Sequence, residues 1–172
     1  MKLMRWLVDE KKIISLGTVL RFYPPFLFFG IKIKFSKDYK RVDIKVPLRG
    51  YFKNNTGVMF GGAMCVASDP FPALLFERLI PNTLAWTKNH KLEYLRPVKS
   101  FITLQFEVTD EDFDFISTEL QTHGKVEKTF EYYFYDKSGH KVAKVTSTAY
   151  LRANRKESDR ARAESGNERE KQ

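Results

Sequence analysis

The feature that most constrains the fold is an uncharged run over residues 58 to 68, "VMFGGAMCVAS". A helix formed by this run would have no charged face to offer to water, so we expect it to be buried all round. Something must enclose such a helix, and a strongly curved antiparallel sheet can do so. The sequence therefore predicts a mixed α+β domain with a central apolar helix.

The run ends at Asp69, and the prolines Pro70 and Pro72 kink or restart the helix before "ALLFERLI" continues it to Pro81. Burying an unpaired carboxylate costs several kcal/mol, so an acid at this position indicates a functional site. A structural alternative remains open, because aspartate before proline is also a preferred start for a helical segment.

Alternating patterns on both sides of the run predict about six strands. Two strands form a hairpin around "SKDYK", each with one apolar and one basic face. Two more follow the helix, and a short helix opened by Thr109 and Asp112 in capping-box spacing leads to the last pair, around "DKSG". The expected strands lie in "GIKIKF", "RVDIKV", "LAWTKNHKLEYLRPV", "FITLQFEVT" and, as two strands, "KVEKTFEYYFYDKSGHKVAKVTSTAYLR".

The chain has 172 residues, enough for one domain with a sizeable core. We predict a single domain over residues 1 to 152, with residues 1 to 25 as an N-terminal helix and a proline-rich turn. The helix corresponds to a weak amphipathic pattern over residues 3 to 20. Residues 153 to 172 are polar, charged and free of aromatics, which predicts a disordered tail.

Composition narrows the class further. The single cysteine, Cys65, excludes a disulfide framework and suits a reducing compartment. Charges over residues 9 to 12 interrupt what would be the apolar part of a signal peptide, and no apolar run reaches the roughly 20 residues that span a bilayer. We therefore expect a cytoplasmic protein.

The formal net charge of +9 is concentrated in the first third of the chain. Residues 1 to 53 carry thirteen Lys and Arg against four acids, whereas residues 54 to 152 carry eleven against twelve. Such a surface suits phosphate-bearing ligands, anionic lipid or nucleic acid, although a merely solubilising basic surface is an equal alternative.

Two segments, "GVMFGGAMCVASDPF" and "AWTKNHKLEYLRPV", resemble the thioesterase-like hotdog-fold superfamily, in particular an uncharacterised branch near the phenylacetate-pathway acyl-CoA thioesterases. The shared elements are the glycine pair with an acid seven residues later, the Asp-Pro-Phe step and "EYLRP". The resemblance covers roughly residues 15 to 152. It implies a hotdog fold, in which a curved antiparallel sheet of about six strands wraps around a central helix.

The resemblance also implies a site. The glycine pair Gly61 and Gly62 would open the helix, with backbone N–H groups that polarise a thioester carbonyl. Asp69 would serve as general base or nucleophile, facing the glycine turn of the other subunit of a homodimer. Asn55 would fix the loop or the carbonyl. Related phenylacetate-type enzymes have a histidine just before the glycines, where this chain has Phe60, so catalysis would depend on Asp69 and the helix N-terminus.

Plainer interpretations stand beside these. The glycines could only permit close helix–sheet packing. Cys65 is expected in the core, Ser68 has no identifiable base, and a structural or surface role is expected for His90. The histidines and acids show no metal-ligand spacing, so no metal is expected.

Coenzyme A would enter as part of the substrate, with no separate cofactor. Its phosphates could be held by basic residues before the motif or on the strand after it. The candidates are Arg49, Lys53, Lys88, Lys91 and Arg96.

Three hypotheses follow. The first is an acyl-CoA or acyl-carrier-protein thioesterase that forms a dimer, or a tetramer of two dimers. The second is a non-catalytic protein that binds acyl thioesters. The third is a protein that binds nucleic acid or a membrane surface through its basic first third. The third is the weakest, because the lysines of residues 32 to 45 lack interleaved stacking aromatics.

Overall fold

A computed structural model describes residues 16 to 154, which form a curved antiparallel sheet of six strands with helices packed against it. The strand order is β1-β2-β4-β5-β6-β3, so β1 and β3 are the edges of the sheet. The strands are β1 Lys32–Phe35, β2 Arg41–Val46, β3 Thr83–Tyr94, β4 Ile102–Glu107, β5 Lys125–Asp136 and β6 Lys141–Ala153.

The helices are α1 Leu16–Arg21, α2 Pro24–Phe29, α3 Gly61–Ser68, α4 Phe71–Leu79 and α5 Asp110–His123, with a 3₁₀ turn at Gly50–Phe52. The helix α5 begins as expected, because the Thr109 hydroxyl accepts a hydrogen bond from the Asp112 N–H at 3.1 Å. None of the helices within residues 16 to 154 is long and apolar enough to cross a membrane.

The core lies between the sheet and the broken helix α3–α4. Along β6, inward-facing residues are buried at nearly every second position, as the two-residue period of a strand requires. Phe71, the first residue of α4, is fully buried between the rings of Phe26 and Phe35, whose centroids lie 6.1 and 6.3 Å away. The predicted α+β architecture with a curved antiparallel sheet of six strands is confirmed.

The central helix is not buried all round, which corrects the expectation from its lack of charge. Ala63, Met64 and Ala67 face the sheet and are buried, but Cys65 is exposed and Val66 is half-buried. The expected core position of Cys65 is therefore wrong. An uncharged helix face that the chain itself leaves open is the kind of surface that another molecule covers.

The N-terminal region also differs from expectation. After α1 the chain turns at Phe22 and Tyr23, and Pro24 and Pro25 then open the helix α2 instead of forming a turn. Proline fits the first turn of a helix because its missing N–H would have no partner there. The start of the predicted amphipathic helix and the tail beyond Asn154 lie outside the described residues.

Candidate active site

The turn before α3 presents two backbone donors. Phe60 is the N-cap residue, and its carbonyl accepts a hydrogen bond from Ala63 at 3.0 Å. No acceptor among residues 16 to 154 bonds the N–H groups of Gly61 and Gly62. Free N–H groups at a helix N-terminus attract an anion or a polarised carbonyl oxygen.

Aromatic side chains flank this turn. A Cβ placed on Gly61 would lie 2.5 Å from the Tyr94 hydroxyl oxygen, and one on Gly62 would collide with the ring of Phe60. Glycine is therefore needed at both positions for these rings to lie where they do. Burial raises the pKa of the Tyr94 phenol, which therefore stays protonated and can donate a hydrogen bond at neutral pH. Sequence reasoning missed this residue, although it lies in the quoted "EYLRP".

A groove of about 400 Å³ runs along the turn. It brings Gly61, Tyr94 and Arg96 together with apolar side chains that could contact an acyl chain. Its remaining lining residues are Asn54, Val58, Met59, Met64, Leu95, Pro97 and Val98. The groove thus joins free N–H donors, a phenol and a guanidinium.

The other end of α3 is held by hydroxyl groups from the sheet. Because Pro72 has no N–H, the carbonyl of Ser68 lacks the helical partner it would otherwise have. The Tyr132 hydroxyl donates to this carbonyl at 2.8 Å, and the Thr87 hydroxyl donates to the Asp69 carbonyl at 2.9 Å. Strands β5 and β3 therefore fix the backbone at the position that carries Asp69.

A β-bulge in β3 turns two of its side chains toward this end of α3. The pairing with β6 shifts between Thr87 and Asn89, so that Lys88 has no counterpart. Without the bulge, Thr87 and His90 would face opposite sides of the sheet, because they are three residues apart. With it, Thr87 reaches the Asp69 carbonyl and His90 Nε2 lies 3.1 Å from Ser68 Oγ. The regular alternation that the sequence predicts for this strand is therefore interrupted at the bulge.

The Ser68–His90 pair does not form a nucleophile. Ser68 is fully buried, and its hydroxyl proton is donated to the Met64 carbonyl at 2.8 Å. Its oxygen is thus left to accept from His90 Nε2–H. His90 Nδ1 is buried and unpaired among the described residues. Burial lowers the pKa of His90, and the nearby charge of Asp69 offsets this only in part, so the imidazole is neutral at pH 7.

Asp69 lies half-buried at the end of α3, and no side chain or N–H group within residues 16 to 154 donates a hydrogen bond to its carboxylate. The charge of Asp69 acts on Cys65, because burial and, as the smaller cause, this negative charge raise the pKa of the Cys65 thiol. Gly61, Cys65 and Asp69 follow at intervals of four, so they share the open face of α3. Eight residues at 1.5 Å each separate Asp69 from Gly61 by about 12 Å along the helix.

We predict that Tyr132→Phe lowers the free energy of unfolding by about 1–3 kcal/mol, because it leaves the Ser68 carbonyl unsatisfied in the core. Urea denaturation measures this change. Tyr150→Phe is the control, since that side chain is half-buried on β6 and no hydrogen bond of its hydroxyl lies within residues 16 to 154. Equal stability of Tyr132→Phe and wild type would show that the helix end does not depend on this bond.

Asn55 and most of the basic candidates lie apart from this geometry. Asn55 is exposed, and it is Asn54 that holds the loop, accepting hydrogen bonds from Thr56 and Val58. Among the basic candidates, Arg96 alone lines the groove.

The remaining four basic residues are exposed elsewhere. Lys88 pairs with Glu127 at 2.5 Å and Lys91 with Glu93 at 2.7 Å. Arg49 donates to the Tyr51 hydroxyl at 2.9 Å, and Lys53 forms a backbone bridge to Met59, next to the turn.

A six-stranded antiparallel sheet curved around a central helix that opens at a glycine pair defines a hotdog fold. Residues 11 to 151 match the family described as a domain of unknown function, DUF4442, and the chain belongs to that family. No match was found among proteins of curated function.

Solved structures confirm the predicted fold. A probable thioesterase of unknown function from Pseudomonas aeruginosa has 23% identity and a TM-score of 0.69, covering 88% of this chain and 95% of that one. A thioesterase from Haemophilus influenzae has 13% identity and a TM-score of 0.60, with coverages of 82% and 92%. The PaaI protein from the phenylacetic acid degradation operon of E. coli has 15% identity and a TM-score of 0.57, covering 76% of this chain and 86% of that one. At these identities the likeness establishes the fold.

Proposed function

We propose that the protein is an acyl-thioester hydrolase, acting on an acyl-CoA or acyl-carrier-protein substrate at a site shared by two subunits. The observation that carries this proposal is that one helix face holds a carboxylate and a pair of backbone donors, none of which has a hydrogen-bond partner within residues 16 to 154. These are the two groups that attack of water on a thioester needs.

The helix geometry favours a shared site. Asp69 and the glycine turn of one chain are about 12 Å apart along α3, whereas a general base and an oxyanion site must both lie about 3 Å from the reacting atoms. Both groups belong to the open face of α3. Strand β3 lies at an edge of the sheet, and the side of β3 that faces away from β6 pairs with no strand within residues 16 to 154. A two-fold dimer built on such an edge and face would place Asp69 opposite the other glycine turn.

The proposed reaction uses each group once. Asp69 takes a proton from water while the water oxygen bonds to the thioester carbon. The carbonyl oxygen becomes negative and is stabilised by the N–H groups of Gly61 and Gly62, with the Tyr94 hydroxyl as a further donor. The carbon–sulfur bond then breaks, and the leaving thiolate takes up the proton held by Asp69, which restores the carboxylate. The products are a carboxylic acid and a thiol.

The carrier would lie along the basic side of the groove. Arg96 lines it, and the exposed Lys53, which bridges to Met59 beside the turn, extends it. A guanidinium can bind phosphate through two parallel hydrogen bonds, which makes Arg96 the first candidate for a contact with coenzyme A. Lys88 and Lys91 would have to leave their carboxylate partners to take part.

A second function is favoured by one observation. The ring of Phe60 lies against Gly62, where related enzymes have a histidine, so no imidazole stands beside the oxyanion site. The loss of an oriented polar group can cost on the order of 10²- to 10³-fold in rate. A protein that binds acyl thioesters without turnover is therefore the alternative, and it predicts binding of acyl-CoA without hydrolysis.

Mixing two inactive variants tests the shared site. We expect Asp69→Asn and Gly61→Val each to lose hydrolysis of acyl-CoA, the second because its side chain displaces Tyr94 and covers the turn. In a hybrid dimer, one of the two sites combines an intact Asp69 with an intact glycine turn. Random reassociation makes half of the dimers hybrid, so about one quarter of wild-type activity should return.

The control is each variant taken alone through the same unfolding and refolding. Gel filtration and circular dichroism must show that both variants fold and associate as the wild type does. Two inactive variants that stay inactive when mixed, although mass spectrometry detects the hybrid, would show that each site lies within one subunit.

A further inference from the structure

A patch of exposed apolar side chains lies around the short helix α2. We call Phe22, Tyr23, Leu27, Phe28 and Tyr51 the aromatic patch; Phe22, Phe28 and Tyr51 are 67%, 62% and 63% exposed. The residues form one surface, because Phe22 and Tyr23 directly precede α2, which carries Leu27 and Phe28, and the ring of Phe28 packs against Tyr51 at 6.3 Å. Contiguous exposed apolar surface of this kind marks an interaction site.

The segments that build the aromatic patch contain no carboxylate. Residues 16 to 37 and 44 to 68 carry seven basic residues and no Asp or Glu. Within residues 16 to 154, the acids that border these two segments are Asp38, Asp43 and Asp69, and the first two already have partners. Asp38 accepts hydrogen bonds from Ser36 and from the Lys40 N–H, and Asp43 pairs with Arg41 at 3.4 Å. The described segments that build the aromatic patch thus carry only cationic charged side chains.

A cavity of about 330 Å³ lies beside the aromatic patch, between α1 and the edge strand β1. Three cations, Arg21, Lys34 and Lys37, line it, and none of them has an ion pair within residues 16 to 154. Arg21 connects the two features, since it directly precedes Phe22 of the aromatic patch. We call this cavity, with the three cations that line it, the basic cavity.

We propose that the aromatic patch and the basic cavity form one docking surface for an anionic phospholipid bilayer. The aromatic and aliphatic side chains would enter the region between headgroups and acyl chains, where tyrosine and phenylalanine are favoured. The basic cavity would hold anionic headgroups. This surface is independent of the proposed hydrolysis, because none of its five apolar and three basic residues belongs to the groove at Gly61.

Two other occupants fit the surface less well. A second copy of the chain would bring two cationic surfaces together, which is repulsive. Single-stranded nucleic acid needs ring faces for its bases to stack on. Here Leu27 has no ring, and Phe28 and Tyr51 meet edge to face at 62°, an arrangement that offers no parallel stacking platform.

Flotation of the full chain with vesicles tests the proposal. We expect binding to vesicles of phosphatidylcholine containing about one third phosphatidylglycerol, and little binding to phosphatidylcholine alone. Each basic residue near such a surface contributes about 1 kcal/mol, so replacing Arg21, Lys34 and Lys37 together with glutamine should weaken binding on the order of 100-fold. Raising the salt to about 0.5 M should release the wild type.

A matched control removes the same charge elsewhere. Lys99, Lys125 and Lys137 are exposed, and no ion pair of theirs lies within residues 16 to 154. Their triple replacement with glutamine should leave vesicle binding within about threefold. An equal loss in both triple variants would overturn the docking surface, because binding would then follow net charge alone.

The apolar half is tested by Phe22→Ser with Leu27→Ser, which should weaken binding at least about 10-fold. Phe115→Ser, an exposed position on α5, is the control. Wild type that does not bind anionic vesicles overturns the proposal. Two further results would point to another occupant if they occur without vesicle binding, and either would overturn the proposal. One is a loss of self-association in the double variant Phe22→Ser with Leu27→Ser. The other is binding of a single-stranded oligonucleotide through the same residues.

Discussion

Asp69→Asn is expected to lower kcat for acyl-CoA hydrolysis by about 10²- to 10⁴-fold while acyl-CoA still binds. The amide has nearly the same size as the carboxylate but cannot accept the proton of the attacking water. The substitution should not disturb the surrounding structure. None of residues 16 to 154 donates a hydrogen bond to the Asp69 carboxylate, so no donor there loses its acceptor. Hydrolysis of short, long and aromatic acyl-CoA thioesters measures the rate, and calorimetry measures binding.

Glu77→Gln is the matched control, since Glu77 is also half-buried and lies on the next helix, α4. It should keep wild-type activity. If wild type hydrolyses no thioester but binds acyl-CoA, the non-catalytic alternative replaces the proposed enzyme. If wild type hydrolyses thioesters and Asp69→Asn does so equally well, the hydrolase survives but Asp69 is not its base.

Phe71→Ala is expected to lower the free energy of unfolding by about 3–5 kcal/mol. Phe71 is fully buried where α4 begins and packs between the rings of Phe26 and Phe35, so the substitution opens a cavity that the rigid sheet cannot fill. Because Phe71 lies two residues after Asp69, any folded fraction should also hydrolyse thioesters more slowly. Urea denaturation gives the first quantity, and the rate per folded molecule gives the second.

Phe22→Ala provides the comparison, since the same atoms are removed from a side chain that is two-thirds exposed. Its cost should stay below about 1 kcal/mol. A similar small cost at Phe71 would mean that the core closes around the deletion. The packing between α2, β1 and α4 would then not be what holds the start of α4.

The fold was largely predictable because its signals are local. Strand alternation, the capping pair Thr109 and Asp112 and the proline break after Asp69 each depend on neighbours within a few residues. The prediction failed where local pattern and tertiary packing diverge. A helix without charges was expected to be buried, yet its Cys65 is exposed, because a sheet curving around a helix covers one side only.

The candidate site was predictable in part. The glycine pair and Asp69 were named from the resemblance to thioesterase-like proteins, and the structure places them about 12 Å apart along α3. Their catalytic roles stay a prediction. Tyr94, Thr87, His90 and Tyr132 were missed as parts of the site. Their partners are 18 to 64 residues away in sequence where hydrogen bonds join them, and no local pattern encodes such distances.

The amino-acid sequence alone was sufficient to specify a curved sheet around an interrupted apolar helix, since hydrophobic period and proline positions are properties of short segments. The tertiary structure alone revealed how the end of that helix is held. A single extra residue at Lys88 changes the phase of β3, which turns Thr87 and His90 toward the same helix end. A one-residue bulge is invisible in an alternating pattern until the partner strand defines the register.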